Sequence, residues 1–232
     1  PPASPGPPSR PPSPRPPGGC TDAVQGLTSA AGLPLDAYTQ WDSDLNECWV
    51  LVLSYIRTAG DQRLAQEGTD PPLSPHDGHS HVLLHQLGIS PWEVEATRWF
   101  CTSSRHGRTL HFRSSSRALA ELVVNGTSEA LGVGDITDTG STTLYADHTA
   151  VLPLNATHSA GGVARLTGGA MSVWGGVRGS VDPFGRVNAR VWGEGSHHWS
   201  LATSSSGGWE CDESAQGASS HATTHRVWVR LH

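Results

Sequence analysis

The stretch HDGHSHVLLH places His76, His79, His81 and His85 close together, the densest group of reactive side chains in the chain. His81 and His85 stand four apart, so on a helix their imidazoles would face the same way and could share a metal ion. No HExxH glutamate accompanies them, and a solvated polar loop would use the same residues in a chain with 13 histidines. A second group, WECDE, gathers Trp209, Asp212 and Glu213, with His221 and His225 following. Carboxylates suit a hard cation such as calcium and accept hydrogen bonds from sugar hydroxyls, while an indole suits the apolar side of a sugar ring. The same segment also reads as core tryptophan, a half-cystine and solvated acids. Asp135 and Asp138 in GDITDTG are a weaker calcium candidate, because Asp and Gly also satisfy backbone groups in turns.

Enzyme chemistry finds less support. No GxSxG elbow, Walker loop, GxGxxG after a strand or paired-acid motif occurs. Ser, His and Asp are plentiful, so a triad drawn from them would reflect abundance alone. The expectation is a protein that is not an enzyme and requires no cofactor, with calcium as the one ion its acids could take.

Four cysteines, Cys20, Cys48, Cys101 and Cys211, are even in number, widely spaced and without a CxxC pair, which favours two disulfides over zinc. Joining Cys20 to Cys48 would clamp the entrance of the domain and leave Cys101 to Cys211, although spacing alone does not fix the pairing. Closing the longer loop would contribute about 4–5 kcal/mol in the chain-entropy treatment. Two N-glycosylation sequons begin at Asn125 and Asn155.

These groups must be carried by two very different regions. Residues 1–19, PPASPGPPSRPPSPRPPGG, are more than half proline. Proline fixes φ and removes the backbone donor, so neither helix nor sheet forms there, and no large apolar side chain offsets the ordering entropy. A stiff polyproline II tail results, suited to docking on another chain. Residues 20–232 have the length of one domain. The whole chain has 27 Gly, nine Trp, no lysine and a formal charge of −6, a composition that suits a β-rich extracellular module and offers no basic stripe for nucleic acid. No apolar run reaches the roughly 18–20 residues of a membrane span. The chain starts at proline without methionine, so a secretion signal is expected to have been removed or to lie outside it.

Along the chain, CWVLVLSYI from Cys48 predicts a central strand buried on both faces. Residues 57–79 read as a surface loop, and His81 to Leu87 as a short amphipathic helix stopped by Gly88. WEVEATRWFC and TLHF predict a hairpin across SRHGR, and RALAELVV a second helix capped by Ser115. Two short apolar segments follow at 142–145 and 149–154, and short strands at 171–174, 187–192 and 199–203. HRVWVRL alternates cleanly and predicts a last strand near the middle of the sheet. The fold class is therefore α+β and β-dominated: one disulfide-bonded globular domain with short helices behind a polyproline II tail.

Two resemblances follow. The PSRPP and SPRPP units resemble the Ser-Pro modules of hydroxyproline-rich glycoproteins of green-algal matrix and cilia. That resemblance covers only residues 1–19. It implies hydroxylation or O-glycosylation at Pro2, Pro5, Pro8, Pro12, Pro14 and Pro17, and at Ser4, Ser9 and Ser13. The early cysteine, the CWVLVLSY strand, the WEVEATRWFC and HGRTLHF hairpin, the GGWECDE segment and the closing HRVWVR strand resemble fibrinogen-related and intelectin-like modules. The acidic calcium loop of those modules is missing in that form: His197 and His198 stand nearby, and Asp212 and Glu213 follow the cysteine instead of preceding it. The expected function is a secreted structural glycoprotein of the extracellular matrix or the cell or ciliary surface, in which copies of the chain join through the tail into a fibre, wall or filament. The alternative is a lectin-like module binding glycans or extracellular polysaccharide from a glycosylated stalk.

Overall fold

The computed structural model describes residues 20–28, 34–43, 45–58, 66–68, 70–76, 78, 80–104, 107, 109–125, 142–145, 147, 156–158, 164–166, 171–176, 186–191, 209–210, 213–214 and 222–232. Strands dominate. The first half holds β1 (Ala23–Thr28), β2 (Pro34–Asp42), β3 (Glu47–Arg57), β4 (Gln66–Gly68), β5 (Ser80–Val82), β6 (Val94–Ser103) and β7 (Thr109–Ser114), followed by helix α1 (Arg117–Asn125). The second half holds β8 (Thr142–Leu144), β9 (Ala156–His158), β10 (Ala164–Leu166), β11 (Met171–Gly176), β12 (Arg186–Val191), β13 (Trp209–Glu210), β14 (Glu213–Ser214) and β15 (Thr223–Leu231).

One sheet of eleven strands runs in the order β1-β2-β3-β15-β6-β7-β8-β10-β9, with β5 also on β3 and β4 beside β5. Its pairings are antiparallel except β4 with β5. As the unbroken apolar run implied, β3 is central, with Trp49, Leu51, Val52 and Leu53 wholly buried. β15 lies between β3 and β6, which agrees with its alternating pattern. The hairpin of β6 and β7 forms with Trp99 opposite Phe112. The pairs β11–β12 and β13–β14 are separate two-stranded ribbons.

A register shift between Val227 and Trp228 sorts the side chains onto two faces. Leu53, Val227, Trp99 and Phe112 form one cross-strand row, in a cluster with Leu119, Leu122 and Val123 of α1. Leu51, Trp228, Arg98 and Arg113 form the neighbouring row on the opposite face.

Two local expectations are corrected. His81 to Leu87 is not an α-helix. Ser80 and His81 pair with Ser54 and Leu53 as part of β5, and only Leu84–Leu87 turns, as a 3₁₀ helix ended by Gly88 at φ 73°. Burying His81 and Val82 against β3 leaves too little chain before that glycine for a regular helix. The second helix forms, but Ser116 rather than Ser115 is its cap residue, since its carbonyl accepts the Ala120 N–H at 3.1 Å.

Candidate functional site

The histidine group does not converge. His81 is buried, with Nδ1 3.3 Å from the Tyr55 hydroxyl. His85 is exposed on the 3₁₀ turn and donates from Nδ1 to the Val124 carbonyl at 2.8 Å. His76 is exposed, its backbone N–H on the Ser74 hydroxyl at 3.0 Å, and His79 lies outside the described residues. The shared helical face expected of His81 and His85 is thus lost to the strand. Among the described residues no three His, Cys, Asp or Glu side chains are placed to hold a metal.

The late group is likewise split. His225 is a core residue of β15, 1% exposed, between Tyr55 and Cys101, so it is not a position a ligand reaches. Trp209 and Glu213 belong to the β13–β14 ribbon, where Trp209 opposes Ser214 and Glu210 opposes Glu213. Asp135, Asp138, Asn155, His197, His198, Cys211, Asp212, His221, the tail sites and the expected strand at 199–203 lie outside the described residues. Asn125 is exposed at the last position of α1. The Cys20–Cys48 disulfide is present, and Cys101 is also disulfide-bonded.

The most highly organised polar group was missed from sequence. It lies on the sheet face opposite α1, centred on Arg98 of β6. Arg98, 8% exposed, donates from Nε to His111 Nε2 at 2.8 Å and from Nη1 to Gln40 Oε1 at 3.3 Å. Its guanidinium lies 4.8 Å from the Tyr145 ring centre and 4.5 Å from that of Trp228, a cation held between two π faces. Because His111 Nε2 must accept from arginine, Nδ1 carries the proton and donates to Asp147 Oδ1 at 2.6 Å. His111 stacks on Tyr145 at 3.9 Å and meets Phe100 edge-on at 5.2 Å.

Electrostatics follows from this packing. Burial pushes the His111 imidazole pKa down, and the Arg98 charge adds to that against the opposing Asp147 bond. Burial pushes the Tyr145 hydroxyl far above the usual phenol range. For Asp147 burial acts upward, but the His111 bond and charge bring the carboxyl to a net value below its usual one. Next to the cluster, Glu47 receives both Arg113 and Arg230, and Arg230 also holds Glu95, from Nε at 2.6 Å and from Nη2. The Arg230 bond lowers the Glu95 carboxyl, outweighing burial.

Chemically, this arrangement holds rather than reacts. Both His111 nitrogens are engaged, so no ring lone pair is left for a metal or a proton. Tyr145 keeps its proton. The sequence signal was an arginine inside an apolar strand, TRWFC, since a buried guanidinium demands partners. Those partners come from β2, β7, β15 and the turn after β8, too far apart to be matched by spacing.

The surface presents a different feature. Trp92, in the 3₁₀ turn Pro91–Glu93, is 77% exposed. The Arg117 guanidinium sits 3.5 Å from its ring centre and also donates to the Pro91 carbonyl. The Ser90 backbone N–H donates to the Glu93 carboxylate at 2.7 Å and closes the turn, so the indole projects from a fixed support. No family model matches the chain, and neither a curated protein nor a solved structure matches it.

Proposed function

We propose that the chain is a secreted structural glycoprotein, a self-assembling subunit of a fibre, wall or ciliary-surface filament whose proline-rich tail docks on a neighbouring copy. The observation that carries this reading is the pairing of a core-less polyproline tail with an exposed, clamped indole at Trp92. Aromatic surfaces are what polyproline II segments dock on. The Cys20–Cys48 disulfide at the exit of the tail and the exposed Asn125 sequon support an oxidising, secreted setting. The fibrinogen-like resemblance of residues 20–232 and the hydroxylated tail belong to the same proposal. No step in it requires catalysis.

A second reading, the lectin-like module, draws on the β13–β14 register, which pairs Glu210 with Glu213 in the segment that also holds Trp209. Sedimentation velocity of the native protein with and without residues 1–19, in calcium and in chelator, separates the two. Large species that need the tail whatever the calcium support the structural reading. Monomers in all four samples overturn it.

A further inference from the structure

We infer that the Trp92 surface is the docking site of this chain's own segment Ser13–Pro17, so that each copy carries its connector folded against itself until it is exchanged. The inference rests on the reading of the tail as a docking segment and adds where it docks and how. The first argument is position. β3 and β6 both run antiparallel to β15, so they start at the same end of the sheet. Arg230 of β15 reaches Glu47, next to Cys48, and Glu95, three residues past Trp92. The His232 N–H donates to the Glu93 carbonyl at 3.0 Å at that same end. Two inter-strand steps separate β3 from β6, about 10 Å. Cys20, the residue that follows the tail, is tied to Cys48 with its Cα 5.8 Å away, at the end of the sheet that carries Trp92.

The second argument is reach. Counting back from Cys20, Gly18 and Gly19 give a pivot, and a polyproline rod rises about 3.1 Å per residue. A rod of that rise spans about 12–16 Å over the four or five residues between Cys20 and Pro16 or Arg15, enough to cover the two inter-strand steps from β3 to β6. The third is chemistry. Arg10 and Arg15 are the tail's charged side chains, and no acid occurs in it. Glu93 is next to Trp92 in the chain, and Glu121 sits 3.8 Å from the Arg117 Nε. Two carboxylates against the single Arg117 guanidinium leave one net negative charge around the indole, which Arg15 would complement with a proline ring on the indole. A short flexible link gives an effective concentration in the millimolar range, so self-docking wins in dilute solution and exchange between copies requires crowding.

The test uses the full-length chain and a fluorescent, unmodified peptide of residues 1–19. A full-length variant with Pro12, Pro14, Pro16 and Pro17 replaced by glycine cannot hold the rod, so its Trp92 surface is vacant. The peptide is expected to bind this variant at least tenfold more tightly than the unaltered chain. Adding Trp92→Ala, an exposed change, should remove at least tenfold of that binding, and Arg15→Glu in the peptide should weaken it severalfold. Equal binding to the unaltered and the glycine-substituted chains overturns self-docking. Binding unaffected by Trp92→Ala, or no binding at all, overturns the site. If the sedimentation experiment still shows tail-dependent assembly in those cases, the fibre reading stands and this inference alone falls.

Discussion

The two faces of the central strands are built by opposite means. Against α1, Leu53, Val227, Trp99 and Phe112 close a buried apolar layer. On the other face the same four strands present Leu51, Trp228, Arg98 and Arg113, and burial is achieved by wedging a guanidinium between two aromatic rings and bonding it to His111 and Gln40. Volume governs the first face and partner count the second. A strand can therefore be buried on both sides without being apolar on both.

The sharpest contrast comes from truncation on each side. Trp99→Ala leaves a cavity in the apolar layer and should cost about 3–5 kcal/mol, measured as a drop in the denaturant midpoint at unchanged slope. Arg98→Met keeps most of the volume but leaves His111 Nε2 and Gln40 without their donor, so a loss of about 2–3 kcal/mol is expected. A cost for Arg98→Met below about half a kcal/mol would mean that the second face is held by packing alone.

Smallest of all is Asp147→Asn, which keeps an acceptor for His111 but removes the charge. The carboxylate is 55% exposed, so about 1 kcal/mol or less is expected at neutral pH. Its signature is in acid. His111 and Asp147 both titrate lower in the folded protein than in the unfolded chain, which therefore takes up protons first as pH falls. Stability is full above the ordinary histidine value of 6.5 and declines as pH drops from there to the native His111 pKa. The Asp147 share is lost below its ordinary 3.8, down through its depressed native value. Asp147→Asn should flatten that second decline in urea melts taken across the acid range.

The sequence displayed the apolar side of this contrast well. β3, the β6–β7 hairpin and β15 were legible because continuous or alternating apolar residues have only one sensible burial, and the early cysteine pair marked the domain entrance. The polar side was hidden. Arg98, His111, Asp147, Gln40 and Trp228 are neighbours only because β15 enters between β3 and β6 and so puts segments far apart in the chain on one sheet face. His81 misled for a related reason: its spacing to His85 suits a helix, but pairing with Leu53 places it on a strand. Trp92 looked like the first residue of β6 and became a surface feature because Pro91 and the Ser90 cap turned the chain there.

The place of β15 also sets an order in time. A ribosome delivers β3 and β6 long before residues 223–231, yet those two strands are never neighbours: each waits for the same late segment to fill the gap between them. Until it arrives, two inner edges with unpaired backbone groups stand open in the nascent chain, and a zipper of strands could close on the wrong partner. Such a chain must be shielded while it is being made, and its folding should be slow for its size, with the last large step being the insertion of one strand between two already made.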